Sequence, residues 1–211
     1  VDIHIALAED YRALNKIDLA KREGENILRY ERRNKWALEL MLALAEEEKD
    51  WQQAEHWNRL LLKIYGKDIT PDLGRYHVYA GMDIMESGDL STAASEFKKA
   101  KKISSESALP YLYLGKIYNT EGKKETALEY WKEYVLLTAN PELDIYKAIE
   151  GLLFELNRYS EVQEIYRGIV EKYPENTEAL VRMVNHMLEK GNAGKAISLL
   201  DRYSVDSMTV R

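Results

Sequence analysis

Within residues 108–141, apolar and small side chains recur at helical spacing on either side of a glycine: Leu114, Gly115 and Tyr118 precede Gly122, and Ala127, Trp131 and Tyr134 follow it. Spacings of three and four put each set on one face of a helix, and the glycine between them suits a turn. The same frame set 34 residues earlier holds Ala80, Gly81, Ile84, Gly88, Ala93, Phe97 and Ala100. Residues 177–210 hold Met183, Val184, Met187, Gly191, Ala196, Leu200 and Tyr203, and residues 143–176 hold Ile149, Leu153, Tyr159, Val162, Tyr166, Ile169 and Pro174. Residues 35–68 follow with Met41, Leu42, Ala45, Trp51, Ala54 and Leu61, and residues 1–34 with Leu7, Ala8, Tyr11, Ala20 and Ile27. The spacing predicts six helical hairpins (1–34, 35–68, 74–107, 108–141, 143–176 and 177–210) in a single array over 1–211, with a short linker at 69–73.

The pattern has a packing reason. Small residues at positions 8 and 20 of the frame let the two helices of a hairpin approach. Large ones at 4, 7, 11, 24 and 27 fill the space within and between hairpins. Asn15 and Lys49 stand where later repeats carry the turn glycine. Pro71, Pro110, Pro141 and Pro174 all fall at expected helix ends or first turns, where a missing N–H costs little. On these residues the chain is identified as a member of the tetratricopeptide-repeat family. The resemblance implies an all-α, right-handed superhelix of about six helix–turn–helix repeats, because one hairpin cannot bury its apolar face without a neighbour.

Composition narrows the function. Hydrophobic residues at 45% and charged residues at 31% suit a folded, soluble chain rather than a disordered one. A net charge of -6 gives no basic face for nucleic acid. The absence of cysteine excludes thiolate catalysis, disulfides and Cys-based zinc sites. No apolar run approaches the roughly 20 residues that span a bilayer. The first residue is Val1 rather than Met, which reads as an excised fragment.

Candidate chemistry is sparse. His4, His56, His77 and His186 lie in different repeats, without metal-ligand spacing, and read as surface or seam residues. Gly191–Lys195 faintly suggests a phosphate loop, but Glu189 stands where the first glycine is needed, so it reads as a turn. The lysines of 98–102 and the glutamates of 46–48 read as solvated faces. No catalytic residue and no cofactor or metal site is assigned, and the chain reads as non-enzymatic.

The tetratricopeptide resemblance implies that positions 2, 5, 6, 9, 12 and 13 of a repeat's first helix face a concave groove. In repeats three and four these are Arg75, Val78, Tyr79, Met82, Met85, Leu109, Leu112, Tyr113, Lys116 and Asn119. That set is apolar for an idle surface and marks a site for a protein or peptide ligand. Glu39, Glu46, Glu47 and Glu86 flank it and favour a ligand with apolar anchors and a basic end. A carboxylate clamp is not expected, because Ile5, Glu39, Val78 and Leu112 occupy the place of its first lysine, and Lys147, which fits there, lacks its asparagine partners, with Gly151 at position 9.

The Lys49–Ala54 segment and the enlarged gap before the Gly88–Leu90 turn resemble the lipopolysaccharide assembly protein B family of bacteria. That resemblance implies a cytoplasmic scaffold tethered to the inner membrane, one that brings a membrane AAA+ protease to the deacetylase of lipid A synthesis. The family's membrane helix and Cys-rich metal module have no counterpart in these residues. Two other readings stand beside a scaffold. One is self-association through the C-terminal helix, where Leu200, Tyr203, Val205 and Met208 seek a partner surface. The other is the repeat region of a larger enzyme.

Overall fold

The computed structural model describes residues 1–66 and 73–208. The expected linker, apart from Leu73, and the expected helix-end Pro71 lie outside the described residues. Twelve α-helices occur in order among them: α1 (Asp2–Ala13), α2 (Ile17–Tyr30), α3 (Lys35–Glu47), α4 (Trp51–Ile64), α5 (Gly74–Glu86), α6 (Leu90–Ile103), α7 (Leu109–Thr120), α8 (Lys124–Leu137), α9 (Leu143–Glu155), α10 (Val162–Lys172), α11 (Thr177–Glu189) and α12 (Ala193–Met208). No strand occurs among the described residues. The fold is therefore all-α, in consecutive helix–turn–helix repeats. The chain divides into two compact units, Val1–Pro110 and Tyr111–Arg211.

Each hairpin turns through one left-handed residue. In the first unit these are Asn15 (φ 54°), Lys49 (φ 59°) and Gly88 (φ 92°). In the second they are Gly122 (φ 74°), Asn157 (φ 56°) and Gly191 (φ 73°). In five of the six hairpins the residue after the left-handed one donates its N–H back across the helix end, as Lys16 does to the Tyr11 carbonyl at 2.8 Å, Asp50 to Ala45 at 2.9 Å and Asn192 to Met187 at 2.9 Å. This is the Schellman closure, which satisfies a carbonyl that the ending helix leaves without a partner. Lys49 adopts the conformation without glycine's freedom, so the demand comes from the repeat and not from the residue.

In the first unit Ala8, Ala20, Leu40 and Leu44 form one buried cluster, joining the first hairpin to α3. Ala45, Ala54, Leu62, Leu73 and Tyr76 form a second, joining α3 and α4 to α5. Close approach depends on small residues. A Cβ on Gly81 would lie 2.8 Å from the Phe97 ring. In the second unit a Cβ on Gly115 would lie 2.2 Å from the Trp131 indole nitrogen, which donates to the Leu112 carbonyl at 3.2 Å.

Candidate protein-binding face

The groove residues expected from the repeat frame divide between the units. Arg75, Val78, Tyr79, Met82, Met85 and Leu109 belong to the first; Leu112, Tyr113, Lys116 and Asn119 belong to the second. In the first unit the side chains of Tyr79 and Leu109 are 40% and 44% exposed. Arg75, Val78, Tyr79, Ser104, Ser107 and Leu109 line a cleft of about 310 Å³. Met82 and Met85 are half-buried. Val78 is buried and reaches the cleft only as part of its floor.

Tyr79 is braced. Its ring centroid lies 5.0 Å from that of Trp51, tilted by 48°. Trp51 opens α4 and is held in turn by Asp83, whose carboxylate accepts from the indole N–H at 2.7 Å. Arg75 Nη2 donates to Glu46 at 3.0 Å and to the Tyr76 hydroxyl at 2.8 Å. The Tyr76 hydroxyl donates to Glu46 at 2.8 Å. Burial, with the hydrogen bond to Glu46, pushes the Tyr76 hydroxyl up to about 12, against the pull of Arg75.

The acidic flank is largely engaged inside the chain. Glu39 accepts from the Tyr65 hydroxyl at 2.6 Å, Glu46 holds Arg75 and Tyr76, and Glu47 pairs with Arg12. A basic ligand end therefore gains less from these carboxylates than their charges alone suggest.

In the second unit Leu112 is buried and presents no surface, whereas Tyr113 is half-buried. Lys116 Nζ stands 5.4 Å from the centre of the Tyr113 ring and binds Glu142 at 2.9 Å. Asn119 is exposed. Positions 5 and 6 of the first helix thus behave oppositely, the former turned inward and the latter outward.

A second cleft of about 390 Å³ lies in the first unit, with Trp51, Glu55, His77, Ile84, Glu96 and Lys99 on its walls. His77 bridges two carboxylates, Nδ1 to Glu96 at 2.7 Å and Nε2 to Glu55 at 3.4 Å. Burial pushes the Glu96 carboxyl up, but hydrogen bonds from Lys99 and His77 outweigh it and hold the group below its ordinary value. The two ring nitrogens serve different carboxylates, so the trio does not converge on one ion. No group of three or more ligating side chains among the described residues is arranged to hold a metal. The sequence did carry a signal for this pair, because His4 and Glu23 occupy the same places in the first repeat and meet at 2.5 Å.

A tetratricopeptide-repeat family model matches residues 153–206. Those residues therefore carry the tetratricopeptide type of repeat. None of the curated proteins matches it. Among solved structures, the chain is similar to the MamA protein at 15% identity, covering 84% of this chain and 93% of that one with a TM-score of 0.44. It is also similar to pilF of Pseudomonas aeruginosa at 17% identity, covering 94% and 87% with a TM-score of 0.41. A thermophilic tetratricopeptide protein of Thermus thermophilus follows at 20% identity, covering 89% and 98% with a TM-score of 0.34. Likenesses so distant say nothing of what this chain binds. The repeat type is generally a non-catalytic platform for protein–protein interaction. No described helix is long and apolar enough to cross a membrane.

Proposed function

We propose that the chain is a non-enzymatic scaffold that holds an apolar segment of a partner protein against the face built by α5 and the start of α7. The observation that carries this reading is the pair of exposed large side chains, Tyr79 and Leu109, at one cleft of about 310 Å³. A tyrosine fixed by Trp51 offers wide contact area with little rotamer entropy left to lose on binding. Tyr113, in the second unit, holds the same frame position as Tyr79 and is proposed as a partner contact in its own right. With most of the acidic flank already paired, the apolar anchors carry the affinity, and a basic ligand end adds selectivity through exposed Glu86.

The lipopolysaccharide-assembly reading draws on the Lys49–Ala54 segment and on the gap at 69–73, of which 69–72 lie outside the described residues. In the segment, Asp50 caps α4 by accepting the Gln53 N–H at 3.1 Å, and Trp51 braces Tyr79. Those two roles account for the segment without a pathway, so the proposal stops at partner binding.

The test is selection of peptides from a random library on the wild-type chain, followed by calorimetric titration of one selected peptide. Tyr79→Ala with Leu109→Ala is expected to weaken binding by at least about 2 kcal/mol, the hot-spot scale. The circular dichroism of the variant should stay that of the wild type. Unchanged affinity in a folded double variant removes the site from this face.

A further inference from the structure

Of the apolar residues expected to draw a second copy to α12, Leu200 is exposed and Tyr203 half-buried, while the side chains of Val205 and Met208 lie outside the described residues. The junction of α4, α5 and α6 is described throughout, and it holds a histidine, the side-chain type whose charge changes near neutral pH. That residue is His77 on α5. Its Nδ1 is within hydrogen-bond reach of Glu96 on α6, at 2.7 Å. Its Nε2 faces Glu55 on α4 at 3.4 Å, too far for an ordinary hydrogen bond. A neutral ring has one N–H. The short contact claims it for Glu96 and leaves the Nε2 lone pair turned toward a carboxylate. The imidazolium has two N–H groups and can donate to both.

The neighbouring helices leave that choice to the ring. On α4, Arg59 pairs with Glu55, and on α6, Lys99 pairs with Glu96 at 2.7 Å. On α3, Glu46 meets Arg75 and the Tyr76 hydroxyl rather than the imidazole. Each carboxylate thus keeps one cation whatever the ring does, and the charge of His77 decides whether Glu55 is also tied to α5. The side chains of Glu55, His77 and Glu96 are only 15% to 18% exposed, so salt screens the contact little.

Glu55 stands one turn from Trp51 on α4, and both line the cleft of about 390 Å³ that His77 shares. Trp51 braces Tyr79 and is held by Asp83, which Lys49 also approaches at 3.5 Å. Whatever ties Glu55 to α5 therefore fixes the turn of α4 that carries the brace. We propose that protonation of His77 closes the Glu55 contact, clamps α4 to α5 behind Tyr79 and raises the affinity of the groove for its apolar ligand. The inference rests on the groove reading for the site and adds its regulation. By reciprocity, ligand binding in turn favours the protonated ring.

The experiment is calorimetric titration of the whole chain with a library-selected peptide that contains no histidine and loses affinity in the Tyr79→Ala, Leu109→Ala variant. Affinity is measured at about pH 8 and at about pH 6, on either side of the histidine range. The wild type should bind at least roughly fivefold tighter at the lower pH, the low end of coupling between sites. His77→Gln keeps an uncharged donor and should bind equally at both. Glu55→Gln, which leaves the Glu96 bond in place, should lose the dependence too, and it serves alone should His77→Gln lose helix by circular dichroism. Equal wild-type affinity at the two pH values, or a dependence that survives in either folded variant, overturns the proposal. The indole N–H resonance of Trp51, assigned by its loss in Trp51→Phe, gives a reading that needs no peptide. It should shift between the two pH values in the wild type and stand still in His77→Gln; a shift that persists in that variant overturns the clamp. Should no peptide depend on Tyr79 and Leu109, the groove reading fails by itself, and the Trp51 resonance still decides the clamp.

Discussion

Gly115 organises its hairpin by what it lacks. With a Cβ due 2.2 Å from the Trp131 nitrogen, Gly115→Ala must displace an indole that is itself hydrogen-bonded to Leu112. Overpacking of this kind costs about 1–3 kcal/mol, while Trp131→Ala, which empties the same site, costs about 3–5 kcal/mol. Urea unfolding should rank the two in that order, and wild-type stability for both would mean the seam is elsewhere. His186 poses a different residue-scale problem. It is 3% exposed, its ring stands edge-on to Tyr159 at 4.9 Å, and neither ring nitrogen has a partner among the described residues. Burial holds its pKa below the ordinary value; Lys190 adds to this, and Glu189 and Glu150 oppose it. With the folded pKa depressed, the unfolded chain takes up the proton first as pH falls. The stability present above the unfolded pKa, about 6.5, is therefore lost on acidification. The melting midpoint of the wild type should fall more steeply from about pH 7 to about pH 5 than that of His186→Leu. Parallel profiles would show that the ring is not desolvated.

At the scale of elements, Asn176 joins what the frame keeps apart. As the N-cap of α11 its Oδ1 accepts from the Ala179 N–H at 2.9 Å, while its Nδ2 donates to the Ala139 carbonyl and the Tyr146 hydroxyl, both at 2.9 Å. Asn176→Ala should cost about 1 kcal/mol for the lost cap, with about 1–3 kcal/mol more for the buried groups left without a donor. Asn176→Asp keeps the cap acceptor and should fall between, as chemical denaturation would show; equal losses in the two variants would leave the cap without weight. An asparagine before a helical run is legible as a cap in any sequence. Its bonds to residues 30 and 37 positions away are not, because they depend on how closely α9 and the end of α8 approach.

For the whole molecule, neighbour-only packing sets the mode of failure. Stability in such chains is close to a sum over repeats and their interfaces, so damage at one end need not spread. Ending the chain at Glu175 removes α11 and α12 and uncovers Val170 on α10, which lines one cleft with Met183 and Met187. The shortened chain should keep the helical ellipticity per residue of the full one and melt at a lower midpoint. Collapse of the entire helical signal would instead reveal a single cooperative core.

The register of the repeats needed only the sequence. Alanine at position 20 in five of the six repeats (the fifth has Val162), a left-handed residue at the turn and apolar residues at helical spacing are local demands, met within about 34 residues each. That is why the turns at Asn15 and Lys49 could be placed without a glycine to mark them. Which groove positions reach the surface was decided by tertiary structure. Val78 and Tyr79 are adjacent and both suit a binding face by composition, yet one is floor and the other is wall. The bracing of Tyr79 by Trp51 and the bridging of His77 between Glu55 and Glu96 unite residues from different hairpins. Exposure and pairing at those places follow from the distance between neighbouring hairpins. That distance is set by the volumes of side chains such as Met41, whose sulfur would lie 2.9 Å from a Cβ on Gly24, a contact that no pattern confined to one repeat contains.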